Sequence, residues 1–304
     1  MTKIKKIYLE NYCGYQKLDF DFTDENSVKN MAVFFGPNGF GKSTLLQAIQ
    51  LLSNPYSNLA KQTSLAFKKF IYHPDYEPDY LGFKPSENKM RLEGIFETEG
   101  GDKRVIIEDD GVKLCELDRV LHGHAYYIDA DNGNNMRKFQ IDEKYVKEFL
   151  RMAKIVYGFD CEVARKVEDS LHDENGKVTE KICVYMDFII HKKFRNLNEI
   201  TKVHFKSMSD GERKIATLLS YLFCPDYIDG RDIILIDNID QHVYFARHPA
   251  MIDKMLEYFP GKQFILTTHS GTMISHVANN YGRKYLYDLE EIKDGVVRRD
   301  EWAY

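Results

Sequence analysis

Gly36-Pro37-Asn38-Gly39-Phe40-Gly41-Lys42-Ser43-Thr44 fits the spacing G-x-x-x-x-G-K-[ST] at every fixed position. Glycines let the backbone turn sharply, so that successive N–H groups point inward at phosphate oxygens. Lys42 supplies a point positive charge for the β- and γ-phosphates, and the Ser43 hydroxyl is placed to bind Mg²⁺. The flanks agree. Met31-Ala32-Val33-Phe34-Phe35 is a short apolar run of strand composition, and Leu45, Leu46, Ile49 and Leu52 recur at helical spacing. A helix starting at Ser43 aims its N-terminal dipole and its free N–H groups at the phosphates.

Working outward, Asp232-Ile233-Ile234-Leu235-Ile236-Asp237 is an apolar strand ending in a carboxylate. Such a strand, buried on both faces, belongs in a parallel sheet, and its carboxyl tip lies where open α/β sheets bind ligands. Asp237 is therefore expected as the second Mg²⁺ anchor, through water. A third strand, Gln263 to Thr267, runs into Thr268-His269-Ser270, which sets His269 to hydrogen-bond a γ-phosphate. Ser209-Asp210-Gly211-Glu212, about 165 residues beyond the first motif, opens an amphipathic helix stopped by Pro225. Locally it is a capping box, Ser209 with Glu212. Capping does not call for Gly211, which lowers helix propensity.

The order of these four elements resembles the head of an ABC-type ATPase, and more narrowly the RecF, structural-maintenance-of-chromosomes and OLD group. The opening Ile4-Lys5-Lys6-Ile7-Tyr8-Leu9-Glu10-Asn11-Tyr12-Cys13-Gly14-Tyr15 is similar to the start of those heads. The motifs are clear in residues 4–50 and 205–272, and residues 55–200 match in general layout only. The resemblance implies ATP and Mg²⁺ as cofactors. It also implies that Ser209, the Gly211 N–H and Glu212 face the γ-phosphate held by a second copy, giving a two-fold ATP-sandwich homodimer that could assemble further.

One position departs from that pattern. The family's strand Asp is followed by a Glu that deprotonates the attacking water, and here Asn238 follows Asp237. An amide accepts no proton at neutral pH, and general-base catalysis is typically worth about 10²–10⁴-fold. Three readings are open: slow hydrolysis and a long-lived ATP state, rescue by Asp240 or a neighbour such as His242, or a substitution introduced to trap that state. Asn238, Asp240 and His269 are thus the candidate catalytic residues.

The expected architecture is α/β: a P-loop NTPase with a mixed central sheet, an antiparallel β subdomain and a helical signature subdomain. It forms one head over residues 1–304, with an N-lobe 1–130 and a C-lobe 131–304. Antiparallel strands are expected at Arg91–Phe96 and Val105–Ile107, and another strand within Val120–Asp129. A helix is expected over 141–157 and a hairpin over 161–192 turning at Asp173–Gly176. The polar loop 131–135 stands where the family's Q-loop links nucleotide to partner, with Gln140 its weak candidate. Segment 71–84, rich in aromatic residues and proline, reads equally as a partner-contact loop or a packed surface loop.

Composition bounds the rest. At 304 residues, 43% hydrophobic and 29% charged, this is an ordinary globular chain. Five scattered cysteines without a C-x-x-C pair read as reduced thiols of a cytoplasmic protein with no zinc site. No signal peptide is expected, and no stretch of about 18–20 uninterrupted apolar residues speaks for a membrane span. A net charge of −5 gives nucleic-acid contact little support, since Lys68-Lys69 and Lys192-Lys193-Phe194-Arg195 are the main basic clusters. Heptad arms are missing between the two motifs, and the segment after His269 is too short for a nuclease domain. The expectation is an ATP-driven dimeric switch that acts on DNA or controls a separate effector protein such as a nuclease, as in phage-defence or DNA-repair systems. An ATP-dependent scaffold without meaningful turnover is the alternative, and a transporter's energy subunit is disfavoured by the wide spacing of the motifs.

Overall fold

The computed structural model describes residues 1–12, 15–25, 27–53, 90–108, 111–115, 125–129, 139, 141–172, 178–193, 199–223 and 231–291. The chain opens with antiparallel strands β1 (Lys3–Tyr12) and β2 (Tyr15–Asp21). Ile4 and Ile7, both buried, are three residues apart, which strict alternation forbids; a bulge between Ile4 and Lys6 absorbs the extra residue. A short hairpin, β3 (Thr23–Asp24) with β4 (Ser27–Val28), leads to β5 (Met31–Phe35), the glycine loop and helix α1 (Lys42–Ser53). Strands β6 (Arg91–Thr98), β7 (Gly101–Glu108) and β8 (Gly111–Cys115) extend the first sheet in the order β2-β1-β6-β7-β8. This is the expected antiparallel part.

β9 (Ala125–Asp129) occupies the end of the strand expected over 120–129. The helix expected over 141–157 is shorter. Ile141–Asp142 forms β10, paired with a later strand, and the Asp142 carboxylate accepts the Lys144 N–H at 2.9 Å to cap a 3₁₀ turn. Only then does α2 (Val146–Tyr157) begin. An Asp that can bond its own backbone two residues on favours a turn over a helix interior. The long hairpin is present as β11 (Cys161–His172) and β12 (Val178–Lys193), with β13 (Ile200–His204) on the far side of β12. Its turn at 173–176 lies outside the described residues, as do Gln140, the loop 131–135, the segment 71–84 and Lys68-Lys69.

The remaining elements are α3 (Asp210–Leu222), β14 (Ile233–Asp237), α4 (His248–Tyr258), β15 (Gln263–Thr267), α5 (Gly271–Asn280) and β16 (Leu286–Asp288). The central sheet runs β16-β5-β15-β14-β9, parallel at every pairing. The mixture of parallel and antiparallel pairing expected from the sequence is therefore divided between sheets: the centre is parallel and its two flanking sheets antiparallel.

Alternation along the central strands makes this sheet a wall between two cores. Ile233 and Leu235 face a core with α1 and the first sheet, beside Leu45, Ile49, Leu92 and Phe96. Ile234 and Ile236 face the opposite core with α2 to α5, beside Phe149, Leu219, Met251 and Met273. Ala32 and Phe34 of β5 face the first core, Met31 and Val33 the second. All five residues of β14 and of β15 are buried, which is why their centres, Ile233 to Ile236 and Phe264 to Leu266, read as unbroken apolar runs.

Candidate nucleotide site

Parallel pairing brings the carboxyl ends of β5, β14 and β15 to one edge, with Phe34 opposite Thr267 and Leu266 opposite Ile236. The glycine loop, Asp237 and the Thr268-His269-Ser270 tip therefore meet although they are far apart in sequence. In the loop, Gly36, Gly39 and Gly41 have φ of +134°, +84° and +86°, values that exact a steric penalty from any side chain. Pro37, Asn38 and Gly39 form the exposed rim, Phe40 is half-buried, and Ser43 and Thr44 are half-buried in the first turn of α1.

Lys42 is only 6% exposed, and its ammonium donates to the Gly36 and Pro37 carbonyls at 2.8 and 2.9 Å. Burial holds its pKa below the usual lysine range, while Asp237 and Asp240 oppose that shift. A buried cation that nearby carboxylates only partly offset, inside a turn of positive-φ glycines, suits a polyphosphate. The nearby donor set for a cation, the Ser43 hydroxyl and the Asp237 carboxylate, suits Mg²⁺, which keeps much of its shell as water and phosphate oxygen. Among the described residues, no group of three or more His, Cys, Asp or Glu side chains could hold a metal by itself.

Asp237 is 2% exposed, and its Oδ1 accepts a short hydrogen bond from the Thr267 hydroxyl. The same hydroxyl accepts the Asn238 N–H at 2.8 Å, and Ile239 N–H reaches the Thr267 carbonyl at 3.1 Å. Asn238 itself sits at φ +52°, a conformation asparagine tolerates better than most residues. Asp240 is drawn into the site: its Oδ1 accepts from the Thr268 hydroxyl at 2.7 Å and from the His269 N–H at 3.2 Å. The loop after β14 is thereby stitched to the tip of β15. The His269 side chain projects into solvent at that tip.

The signature segment is the capping box expected from sequence. Ser209 N–H and Oγ donate to Glu212 Oε2 at 3.0 and 2.9 Å, and Glu212 N–H returns to Ser209 Oγ at 3.5 Å. Burial alone would raise the Glu212 pKa, but bonds from Lys192 and Ser209 bring it below the ordinary carboxylate value. The Tyr157 hydroxyl donates to the Glu212 carbonyl at 2.5 Å. Gly211 lies under the exposed His242 ring: a Cβ there would stand 3.2 Å from His242 Nδ1. His242 thus packs against this protomer's own signature segment.

Several residues of the site have roles that no sequence motif assigns. Thr267 and Thr268 hold the two acidic groups. His248 is buried, donating through Nε2 to the Val243 carbonyl (2.9 Å) and hydrogen-bonded through Nδ1 to the hydroxyl of Ser270 (2.7 Å), the cap of α5. Arg247 donates to the Ile155 carbonyl at 2.9 Å near the C-terminus of α2. The repeated threonine before His269 was the available signal for the first two. Burial pushes the Cys161 thiol up to about 12, which disfavours the thiolate at neutral pH.

A family model described as the RecF/RecN/SMC N terminal domain matches residues 3–288. The Septu protein PtuA of Bacillus mycoides (strain KBAB4) is 26% identical over 290 residues, 88% of this chain and 38% of its own length. The retron Ec83 probable ATPase of Escherichia coli is 22% identical, over 88% of this chain and 68% of its own. The chain thus spans well under half of the first of these relatives. Among solved structures, an Smc head bound to the C-winged helix domain of ScpA aligns with a TM-score of 0.53 at 16% identity, covering 90% of this chain and 91% of its own. An Smc head domain with an extended coiled coil from Pyrococcus furiosus reaches 0.55 at 13% identity, covering 91% and 92%. At these identities the two structures show the fold.

Proposed function

The chain belongs to the RecF/RecN/SMC N-terminal domain family, and on that premise we propose that it is an ATP-binding, slowly hydrolysing dimeric switch. Its ATP-closed state would be read by a separate effector protein such as a nuclease, or would act on DNA. The observation that carries this reading is one edge of one parallel sheet, where the glycine loop, buried Lys42 and Asp237 converge with Asn238 in the place of a general base. Gly36 to Thr44 would hold the phosphates, Ser43 and Asp237 the Mg²⁺, and His269 the γ-phosphate. Ser209, Gly211 and Glu212 would face the nucleotide of a second copy. Bound Mg²⁺ would neutralise charge developing on the phosphate oxygens.

Likeness to the Septu and retron proteins supports a phage-defence setting. Direct DNA contact has weaker support, because several described lysines are paired with carboxylates: Lys192 with Glu212, Lys202 with Glu162, Lys166 with Glu143. Steady-state phosphate release tests the switch. The unsubstituted protein should turn over far below one per second, and Asn238→Glu should raise the rate about 10²-fold. Asp240→Ala should abolish the residual rate if Asp240 is the base. Turnover of several per second in the unsubstituted protein sinks the slow-switch reading.

The alternative is an ATP-dependent scaffold without meaningful turnover that assembles a partner complex. Asn238 favours it, as does the use of Asp240 Oδ1 by two donors. ATP-dependent assembly with no phosphate release would establish it.

A further inference from the structure

The tip of the first hairpin touches the phosphate cradle. Tyr12 of β1 pairs with Tyr15 of β2 there, and the Tyr15 hydroxyl donates to the Gly41 carbonyl at 2.9 Å, with the Phe40 carbonyl at 3.5 Å. The Gly41 carbonyl also accepts the Leu45 N–H at 2.9 Å, the bond that opens α1. The ring fills the space beside Gly41: a Cβ there would lie 2.7 Å from Tyr15 Oη and 2.9 Å from Cζ. Burial pushes the phenol pKa up, so the hydroxyl stays a donor across the physiological range.

We propose that Tyr15 is a positioning residue of the phosphate cradle, fixing the Gly41–Lys42 peptide so that its N–H faces a bound triphosphate. The reasoning is geometric. A trans peptide is planar, and its C=O and N–H point in opposite directions. Two donors holding the Gly41 oxygen on the side of Tyr15 and α1 therefore turn the Lys42 N–H away from them, into the loop's concavity. Without the tyrosine bond only the Leu45 N–H holds that oxygen, and the peptide follows a glycine, at φ +86°, whose backbone has wide freedom to rotate. This inference rests on the ATP-binding reading above and adds a residue to it.

The test uses the full chain with Mg²⁺ and measures displacement of a fluorescent ATP analogue by ATP and by inorganic tripolyphosphate. Tyr15→Phe keeps the ring and loses the donor. Both competitors should weaken by about fivefold, the worth of one ordinary hydrogen bond. Hydrogen exchange should quicken at the amides of residues 36–43 and stay unchanged along β1 and β6. Unchanged affinity for both competitors overturns the proposal. So does a loss confined to ATP, which would make the ring a base contact, and so does exchange that quickens equally through the first sheet. No nucleotide binding by the unsubstituted protein, with Lys42→Ala indistinguishable from it, would sink the ATP-binding reading as well.

Discussion

Thr267 does two jobs with one hydroxyl: it donates to Asp237 and accepts the Asn238 N–H. It is fully buried, so losing the hydroxyl takes one hydrogen bond from a buried carboxylate and one from a backbone N–H. Thr267→Val, close in shape, should cost about 1–3 kcal/mol in urea unfolding. A second prediction concerns Glu212, whose folded pKa lies below its ordinary 4.5. A depressed carboxylate contributes stability that is present above the unfolded pKa and lost as pH falls through the folded one. The α3 N-terminus should therefore loosen below about pH 4.5, seen as faster amide exchange in residues 210–214. Glu212→Gln should remove that pH dependence. At this scale the motif residues were legible, because each borders an apolar or amphipathic run whose end can be read in the sequence. The bonds of the threonines and the packing of His242 on Gly211 were not. Thr267 lies 30 residues from Asp237, and no local periodicity reports a bond of that span.

Among elements, the strands that carry the site were the easiest to read, since burial on both faces leaves unbroken apolar runs, Ile233 to Ile236 and Phe264 to Leu266. Ile234→Ala in β14 should destabilise by about 2–5 kcal/mol, measured as a lower urea midpoint with an unchanged slope. Pairing was harder. The sequence showed which segments are strands but not that antiparallel pairs leave the centre for two sheets of their own, because a partner is chosen by long-range packing. α2 starts later than its periodicity suggests for a local reason, the Asp142 turn. Gly211 has acquired a second explanation: besides any role toward a phosphate, it makes room for His242. Gly211→Ala gains helix propensity of about 1 kcal/mol but crowds that ring. The gain should appear in the double variant with His242→Ala and be smaller in the single one, a coupling read from a double-mutant cycle of thermal unfolding.

For the whole molecule, the proposed switch predicts a change of assembly. Sedimentation velocity should show a dimer with a slowly hydrolysed ATP analogue and a smaller species without it. Ser209→Arg should block the dimer while leaving analogue binding by each protomer intact, because Ser209 would serve the nucleotide of the other copy. A Ser209→Arg protein that still dimerises overturns that placement. The two cores divided by the central sheet have another consequence, which concerns time. Strand β5 is flanked by β15 and β16, which begin at Gln263 and Leu286. At about 5–20 residues per second, a nascent chain waits tens of seconds between exposing Phe34 and synthesising the strands that cover its edges. The apolar face of α1 waits as long for Ile233, Leu235 and Ile265. The segment proposed to bind the phosphates is thus among the first made and late to be enclosed, so the ribosome-bound chain should engage chaperones until β16 arrives.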